Sequence, residues 1–253
     1  MPGPGTLLTI MAHPDDAEFA AGGLLSLWHK AGGDIHIMCL TDGSAGHHYL
    51  SRRELAKRRA QEAKNAAAII GASVTIASGI DGALTASLEV RAEVIRKIRE
   101  IGPDLIVTHR SCDYHPDHRA TAQLVQDACF LLQVPAVEPE TPPLRHVPPV
   151  LQAWDRFKTP QPHRPDWVID TTSTISQIMN LLVCRKSQVF EWLPFLDGRT
   201  PPEDIDSTEA VEWLKAWYVK RPKTIAHQAA PAFTYAEAYE VSEYGGRFVQ
   251  PEF

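Results

Sequence analysis

Two stretches of this chain carry the tripeptide His-Pro-Asp: "AHPDDAE" at residues 12–18 and "YHPDHR" at 114–119. Composition alone predicts about 0.05 such tripeptides in a chain of this size, so a pair points to shared chemistry. The residue types suit a divalent metal. His13 and Asp16, three apart around a turn, can converge on one point, and so can His115 or His118 from the second stretch. Two imidazoles and one carboxylate, with water on the other positions, describe a catalytic zinc site or a facial-triad iron site. Pro14 and Pro116 fix φ and help hold the ligands in place. The members left over, Asp15, His115 and Asp117, are then the natural groups for moving protons or orienting a ligand. A plainer reading makes Asp15 or Asp16 the N-cap of the next helix and Asp117 the cap of "HRATAQLVQDA". Recurrence at matching places in two segments favours the metal.

Such residues need a scaffold that brings two distant segments together. Apolar, β-branched runs recur at "TLLTIMA", "DIHIMCLT", "SVTIAS", "DLIVTH" and "DWVIDTT", each short enough for a buried strand. Helical patterns alternate with them. In "LEVRAEVIRKIREIG", Leu88, Val94, Ile95, Ile98 and Ile101 follow helical spacing, Glu93–Lys97 and Arg96–Glu100 pair at i,i+4, and Gly102-Pro103 ends the helix. Further helices are expected over Asp16 to Lys30, Ser51 to Ile70, His118 to Leu132, Ser173 to Trp192, Ser207 to Tyr218 and Tyr235 to Ser242. Alternation at this spacing predicts an α/β fold, a Rossmann-like, mostly parallel sheet with helices on both faces. Ligands bind such sheets beyond the carboxyl ends of the strands, which is where both His-Pro-Asp stretches fall. Residues 134–166 hold nine of the twenty prolines and read as a Pro-stiffened excursion before the last strand, near or over the site. Residues 193–253 read as a C-terminal helical extension, and the whole of 1–253 as one domain.

At 253 residues, 44% apolar and 22% charged, the chain can bury a substantial core. A net charge of −6 argues against a nucleic-acid partner. The basic cluster Arg52, Arg53, Lys57, Arg58 and Arg59 reads as a solvated helix face. Dinucleotide binding fails on the first turn: "AHPDDAEF" lacks G-x-G-x-x-G, and its carboxylates would repel phosphate. No run approaches a membrane span of roughly 20 residues, and the start of the chain has no charged n-region or signal-like apolar stretch, so cytoplasmic residence is the expectation. Cys39, Cys112, Cys129 and Cys184 form no CxxC pair; they read as reduced, with Cys39, Cys129 and Cys184 in the core.

"AHPDDAE" after a first strand, with "HPDHR" opening a later helix, resembles the LmbE-like (PIG-L) zinc-dependent N-deacetylases. These include N-acetylglucosaminyl-phosphatidylinositol de-N-acetylases and the deacetylases of mycothiol and bacillithiol synthesis. "TDGSAG", "RRAQEAKNAAAIIGA" and "CRKSQ" resemble family segments in the same order, so the likeness spans most of residues 6 to 190. The resemblance implies that His13, Asp16 and His118 bind Zn²⁺, a set that Fe²⁺ also accepts, and that Asp15 is the general base. His115 would steady the oxyanion and protonate the leaving amine, and Asp117 would orient a histidine. The implied reaction removes an N-acetyl group from an amino sugar or its conjugate. A metal-dependent amidase on a non-sugar amide or thiol conjugate is the alternative, and a binding protein with a broken ligand set a third. The partner implied is a small N-acetylated molecule, and a homo-oligomer is compatible with the sequence.

Several residues have weaker claims. Ser44 stands where many family members carry Glu against substrate. His47 and His48 are near enough to contact a sugar but also read as exposed loop histidines. Arg59, in Arg-x-x-Glu with Glu62, reads as a substrate contact, a buttress of the metal loop or a surface ion pair. His109 reads as support, and "HRPDW" at 163–167 as a decoy. Trp154, Trp167, Trp192, Trp213, Trp217, Phe190 and Phe195 enrich the last third in rings able to stack on a sugar. Helix-spaced Trp213 and Trp217 read better as core or a subunit contact.

Overall fold

A computed structural model describes residues 4–253. Strands β1 (Thr6–Met11) and β2 (Asp34–Thr41) show how the apolar runs are used. Leu7 and Met11 of β1, with Ile35, Ile37 and Cys39 of β2, enter one core, while Leu8, Ile10, Met38 and Leu40 enter another. Side chains alternate between the two faces and both faces are covered, so the sequence reads as unbroken hydrophobicity. Helix α1 (Asp16–Lys30) supplies Leu24, Leu25 and Trp28 to the first core. Helix α2 (Arg52–Ile69) starts in a capping box between Ser51 and Glu54. Helices α3 (Leu88–Ile101) and α4 (Pro116–Leu131) supply Val94, Ile95, Ile98, Leu124 and Val125 to the second core.

The remaining strands are β3 (Ser73–Gly79), β4 (Leu105–Thr108), β5 (Val150–Ala153), β6 (Trp167–Asp170) and β7 (Ala236–Val241), giving a seven-stranded sheet of order β3-β2-β1-β4-β5-β7-β6. Every pairing is parallel except those of β7 with β5 and β6. β1 lies between β2 and β4, with Leu7 opposite Leu105. The winding reverses there, so the crevice beyond the carboxyl ends of β1 and β4 is the topological switch point at which such sheets bind ligands.

Three expectations need correction. Residues 235–242 form no helix: Glu237 and Tyr239 face α1, Ala236 and Ala238 face the opposite side, and this period of two makes β7. Alanine and glutamate favour helix, but two-sided burial overrides that preference. The C-terminal segment therefore returns a strand to the sheet, after α7 (Thr208–Tyr218) and α8 (Lys220–Ala229), the latter unforeseen in the sequence. The Pro-rich excursion contains β5, whose four residues are too short for a periodic signal. The helix expected from Ser173 to Trp192 is broken into α5 (Ile175–Val183), a wide π-helical turn at Ser187–Trp192 and α6 (Leu193–Asp197). Among the cysteines, Cys39 and Cys129 are buried as expected, whereas Cys184 is only partly so.

Gly22 and Gly23 within α1 also find a reason. The helix kinks at Ala21 (φ −141°, ψ 20°), and the amides of Gly23 and Leu24 donate to the Glu237 carboxylate at 2.6 and 2.9 Å. A Cβ on Gly23 would lie 2.2 Å from Thr171 Cγ2 and 2.9 Å from Glu237 Oε1, so glycine is what lets Thr171 and the Glu237 carboxylate of β7 close on the break. Among the described residues, no helix is long and apolar enough to cross a membrane.

Candidate metal centre

The turn after β1 separates two adjacent carboxylates. Asp15 has φ 153° and ψ −23°, a sparsely populated conformation for a residue with a Cβ. It turns Asp16 toward His13 and directs Asp15 toward Arg59. Asp15 makes no side-chain cap bond, and Asp117 is not the cap of α4: His115 Nδ1 takes that place, accepting the Asp117 amide at 3.2 Å. The plain capping reading is thus not what the carboxylates do.

Three ligand-type atoms meet at the switch point. His13 Nδ1 lies 3.2 Å from Asp16 Oδ2 and 3.3 Å from His118 Nε2, and the last two are 3.5 Å apart. Ligand atoms about 2.0–2.1 Å from a tetrahedral zinc ion stand about 3.3–3.4 Å from one another, so the triangle has the dimensions of one tetrahedral face. The far nitrogen of each imidazole faces a carboxylate. His13 Nε2 is 3.2 Å from both Asp117 Oδ2 and Asp81 Oδ1, and His118 Nδ1 is 3.0 Å from Asp113 Oδ2. These carboxylates are anchored in turn, Asp117 by the amides of Gly82 and Leu84, Asp81 by that of Ala45 and Asp113 by that of His115. Such outer partners fix the ring orientation and raise ligand basicity. Asp113→Asn should weaken metal binding about 10–100-fold, measured by competition with a chelator. Asp117→Asn should cost less, because Asp81 stands equally close to the same nitrogen; a loss at Asp117 exceeding that at Asp113 would contradict this.

The cradle attracts positive charge. Burial works against protonating His118, yet Asp16 and Asp113 raise it to about 9, and His13 is raised well above the usual imidazole value against the same penalty. Burial would lift Asp16, but His118 and His13 hold it well below the usual carboxylate range. A site that retains protons this firmly fits a divalent cation. His109 borders the same cluster: its Nε2 accepts the Ala12 amide at 3.1 Å and lies 3.3 Å from Asp16 Oδ2, its ring stacks on His118 at 3.9 Å, and burial takes it down to about 4. His115 stands edge-on to His13, with centroids 4.7 Å apart.

Arg59 corrects the solvated-face expectation. It is 3% exposed and donates through Nη2 to Asp15 Oδ1 at 2.7 Å and Pro14 O at 2.8 Å, and through Nη1 to Gly43 O at 2.9 Å. A Cβ on Gly43 (φ 66°) would lie 2.6 Å from Nη1, so glycine is required where the arginine passes. Its expected partner Glu62 instead binds Arg58 and the backbone and hydroxyl of Ser187, fastening the π-helical turn to α2. Burial pushes Asp15 up to about 6 against the pull of Arg59. Behind the turn, Glu18 pairs with Arg185 of the "CRKSQ" segment, both about 1% exposed at the side chain. Arg185→Met leaves the Glu18 charge buried alone and should cost about 3–5 kcal/mol in denaturant unfolding. The double variant with Glu18→Gln should recover part of it, and a loss below 1 kcal/mol would sink this account.

Ser44 is buried and accepts from Arg52 Nη1 at 3.2 Å, on the loop that also anchors Asp81. His47 is not a free loop histidine: its Nε2 is 2.9 Å from Glu191 Oε2 and its side chain is fully buried. His48 stacks on Phe195 at 4.2 Å. His163 of the decoy lies beside Glu240 and Arg110, away from the metal triangle. Trp213 and Trp217 are partly buried and pack against the cluster that α5 helps to form. Sequence reasoning missed Asp81, Asp113, Arg185 and Glu191. For the first two the available signal was position, acidic residues just past β3 and β4 at the ligand-binding end of the sheet. Arg185 and Glu191 had no local signal, since their partners are 167 and at least 133 residues away.

Residues 8–129 match the family profile described as GlcNAc-PI de-N-acetylase, PIG-L. The chain is 29% identical over 201 residues to diacetylchitobiose deacetylase of Thermococcus kodakarensis, covering 75% of this chain and 74% of that one. It is 27% identical over 197 residues to 4-oxalmesaconate hydratase of Pseudomonas putida, covering 73% and 74%. Its fold is similar to that of N,N'-diacetylchitobiose deacetylase from Pyrococcus horikoshii, with a TM-score of 0.76 at 22% identity over 94% of this chain and 84% of that one. Both His-Pro-Asp loops lie inside the matched segment, so the part of the chain that carries the candidate metal centre is the part that resembles the PIG-L, or LmbE-like, family.

Proposed function

We propose that this protein is a zinc-dependent N-deacetylase acting on an N-acetylated amino sugar or its conjugate. The observation that carries the reading is the triangle of His13 Nδ1, Asp16 Oδ2 and His118 Nε2, flanked by a buried carboxylate that belongs to none of its ligands. A divalent metal held there by His13, Asp16 and His118 would supply Lewis acidity toward an acetamide carbonyl and lower the pKa of a water. Asp15 stands beside the triangle as the group that takes a proton from the attacking water. Arg59 occupies its Oδ1, leaving Oδ2 free, and a value of about 6 suits a base working near neutrality. His115 accepts the Asp117 amide at Nδ1, so its neutral form carries the proton on Nε2 and keeps it while donating a hydrogen bond to the oxyanion. The carbon–nitrogen bond then breaks, Asp15 returns its proton to the leaving nitrogen, and acetate and the free amine depart. Four unpaired cysteines favour a reducing compartment, the cytoplasm.

The near-equal similarity to a hydratase supports a second reading, in which the same activated water adds to a carbon–carbon double bond. The test is a screen of the protein loaded in turn with Zn²⁺ and Fe²⁺. Acetate release is measured on N-acetylglucosamine, N,N'-diacetylchitobiose, sugar–thiol conjugates and N-acetylated amino acids as non-sugar amides, and hydration on 4-oxalmesaconate. Acetate release from a sugar supports the proposal, release from non-sugar amides alone moves the substrate class, and hydration without acetate replaces the reaction.

A further inference from the structure

We propose that the slab of parallel rings formed by His48, Trp192 and Phe195 is a second sugar subsite, taking the pyranose next to the one that bears the scissile acetamide. This rests on the deacetylase reading. The His48 and Phe195 rings are 4.2 Å apart and 4° from parallel; Trp192 lies 5.8 Å from Phe195 at 21° and 6.4 Å from His48 at 16°. The slab faces water rather than core, with Phe195 56% and neighbouring Tyr49 66% exposed. It is also held rigidly. Glu191 accepts from Tyr49 OH at 3.0 Å, lies 2.9 Å from His47 Nε2 and pairs with Arg58, while the His47 ring backs His48 at 4.8 Å.

The rings and the metal loop share a neighbour in Gly46. A Cβ on Gly46 would lie 3.4 Å from Trp192 Nε1 and 3.5 Å from Arg59 Nη1, and Arg59 grips Asp15. The Trp192 N–H makes no hydrogen bond among the described residues, so a donor stands free at the edge of the ring face. His48 is stacked between His47 and Phe195, so the exposed Phe195 ring is the one that meets the C–H face of a pyranose, and the free Trp192 N–H beside it meets a hydroxyl, which favours a sugar over a purely apolar group. Burying exposed rings beside a polar edge also fits contact with a second copy of the chain, and the test separates the two.

Zinc-loaded parent, Trp192→Ala and Phe195→Ala proteins are compared on N-acetylglucosamine and N,N'-diacetylchitobiose by acetate release, and by calorimetric binding of both sugars to the Asp15→Asn background, which needs no turnover. We expect each ring variant to lower kcat/KM and affinity for the disaccharide on the order of tenfold while leaving the monosaccharide unchanged. Selective loss of disaccharide binding without any acetate release would keep the subsite and remove the reaction. Equal loss on both sugars, no loss on either, or no binding of either to the parent would overturn the subsite. So would a shift to smaller species in sedimentation with unchanged sugar preference, which would make the slab a subunit contact.

Discussion

Asp15→Asn is expected to keep its metal and to lose about 10²- to 10⁴-fold in kcat, the range a positioned acid–base group contributes. Asparagine preserves the oxygen that accepts from Arg59 at 2.7 Å, so the turn and the buried guanidinium keep a partner. What disappears is the free carboxylate oxygen, the site that takes the proton of the attacking water. Metal content by elemental analysis and kcat by acetate release separate the outcomes. A variant within tenfold of the parent would show that Asp15 is not the base. A variant that also loses its metal would make Asp15 a ligand and reassign Asp16.

Asp16→Ala has the opposite signature, with loss of the metal and of activity together. Its Oδ2 accepts the His13 amide at 2.7 Å and lies 3.2 and 3.5 Å from the two imidazole nitrogens, so no neighbouring oxygen can replace it. Protein zinc sites bind with about 10–16 kcal/mol, so one ligand in four carries roughly 3 kcal/mol, on the order of 10²-fold in affinity. His118→Ala should behave alike. The two measurements are zinc per chain after dialysis at low micromolar metal and activity with excess zinc restored. Full zinc occupancy in Asp16→Ala would dismiss the triangle as the metal site. Circular dichroism checks the fold: the lost carboxylate faces the crevice, and the two cores beneath contain neither it nor the histidines.

How much of this was legible in the sequence differed by element. Strands β1 to β4 and helices α1 to α4 could be read because burial on two faces or on one stripe imposes a period on neighbouring residues. β7 was misread because an Ala/Glu-rich segment has helical propensity, and only its place between β5 and β6 gives it a strand's surroundings. The α5 region was read as one helix because its apolar pattern continues past Cys184, while the contacts of Glu62 that fasten Ser187, where the wide turn begins, come from α2. Arg59 read both as one of five cations on a solvated helix face and as a buttress of the metal loop, and its contacts with Gly43, Pro14 and Asp15 are those of the buttress.

The sequence by itself determined the chemical inventory: two His-Pro-Asp loops, each at the end of a strand, with a metal-competent residue directly after each copy in Asp16 and His118. That information is local, carried by residue type and spacing of a few positions. Which of His115 and His118 enters the triangle, which carboxylate holds each imidazole, and how Asp15 is kept apart from Asp16 were decided only by the tertiary structure. Those choices depend on atoms from β1, β4 and the β3 loop meeting within about 3.5 Å across some hundred residues of chain. They also depend on burial, which sets the charge each group carries and which no window of sequence contains.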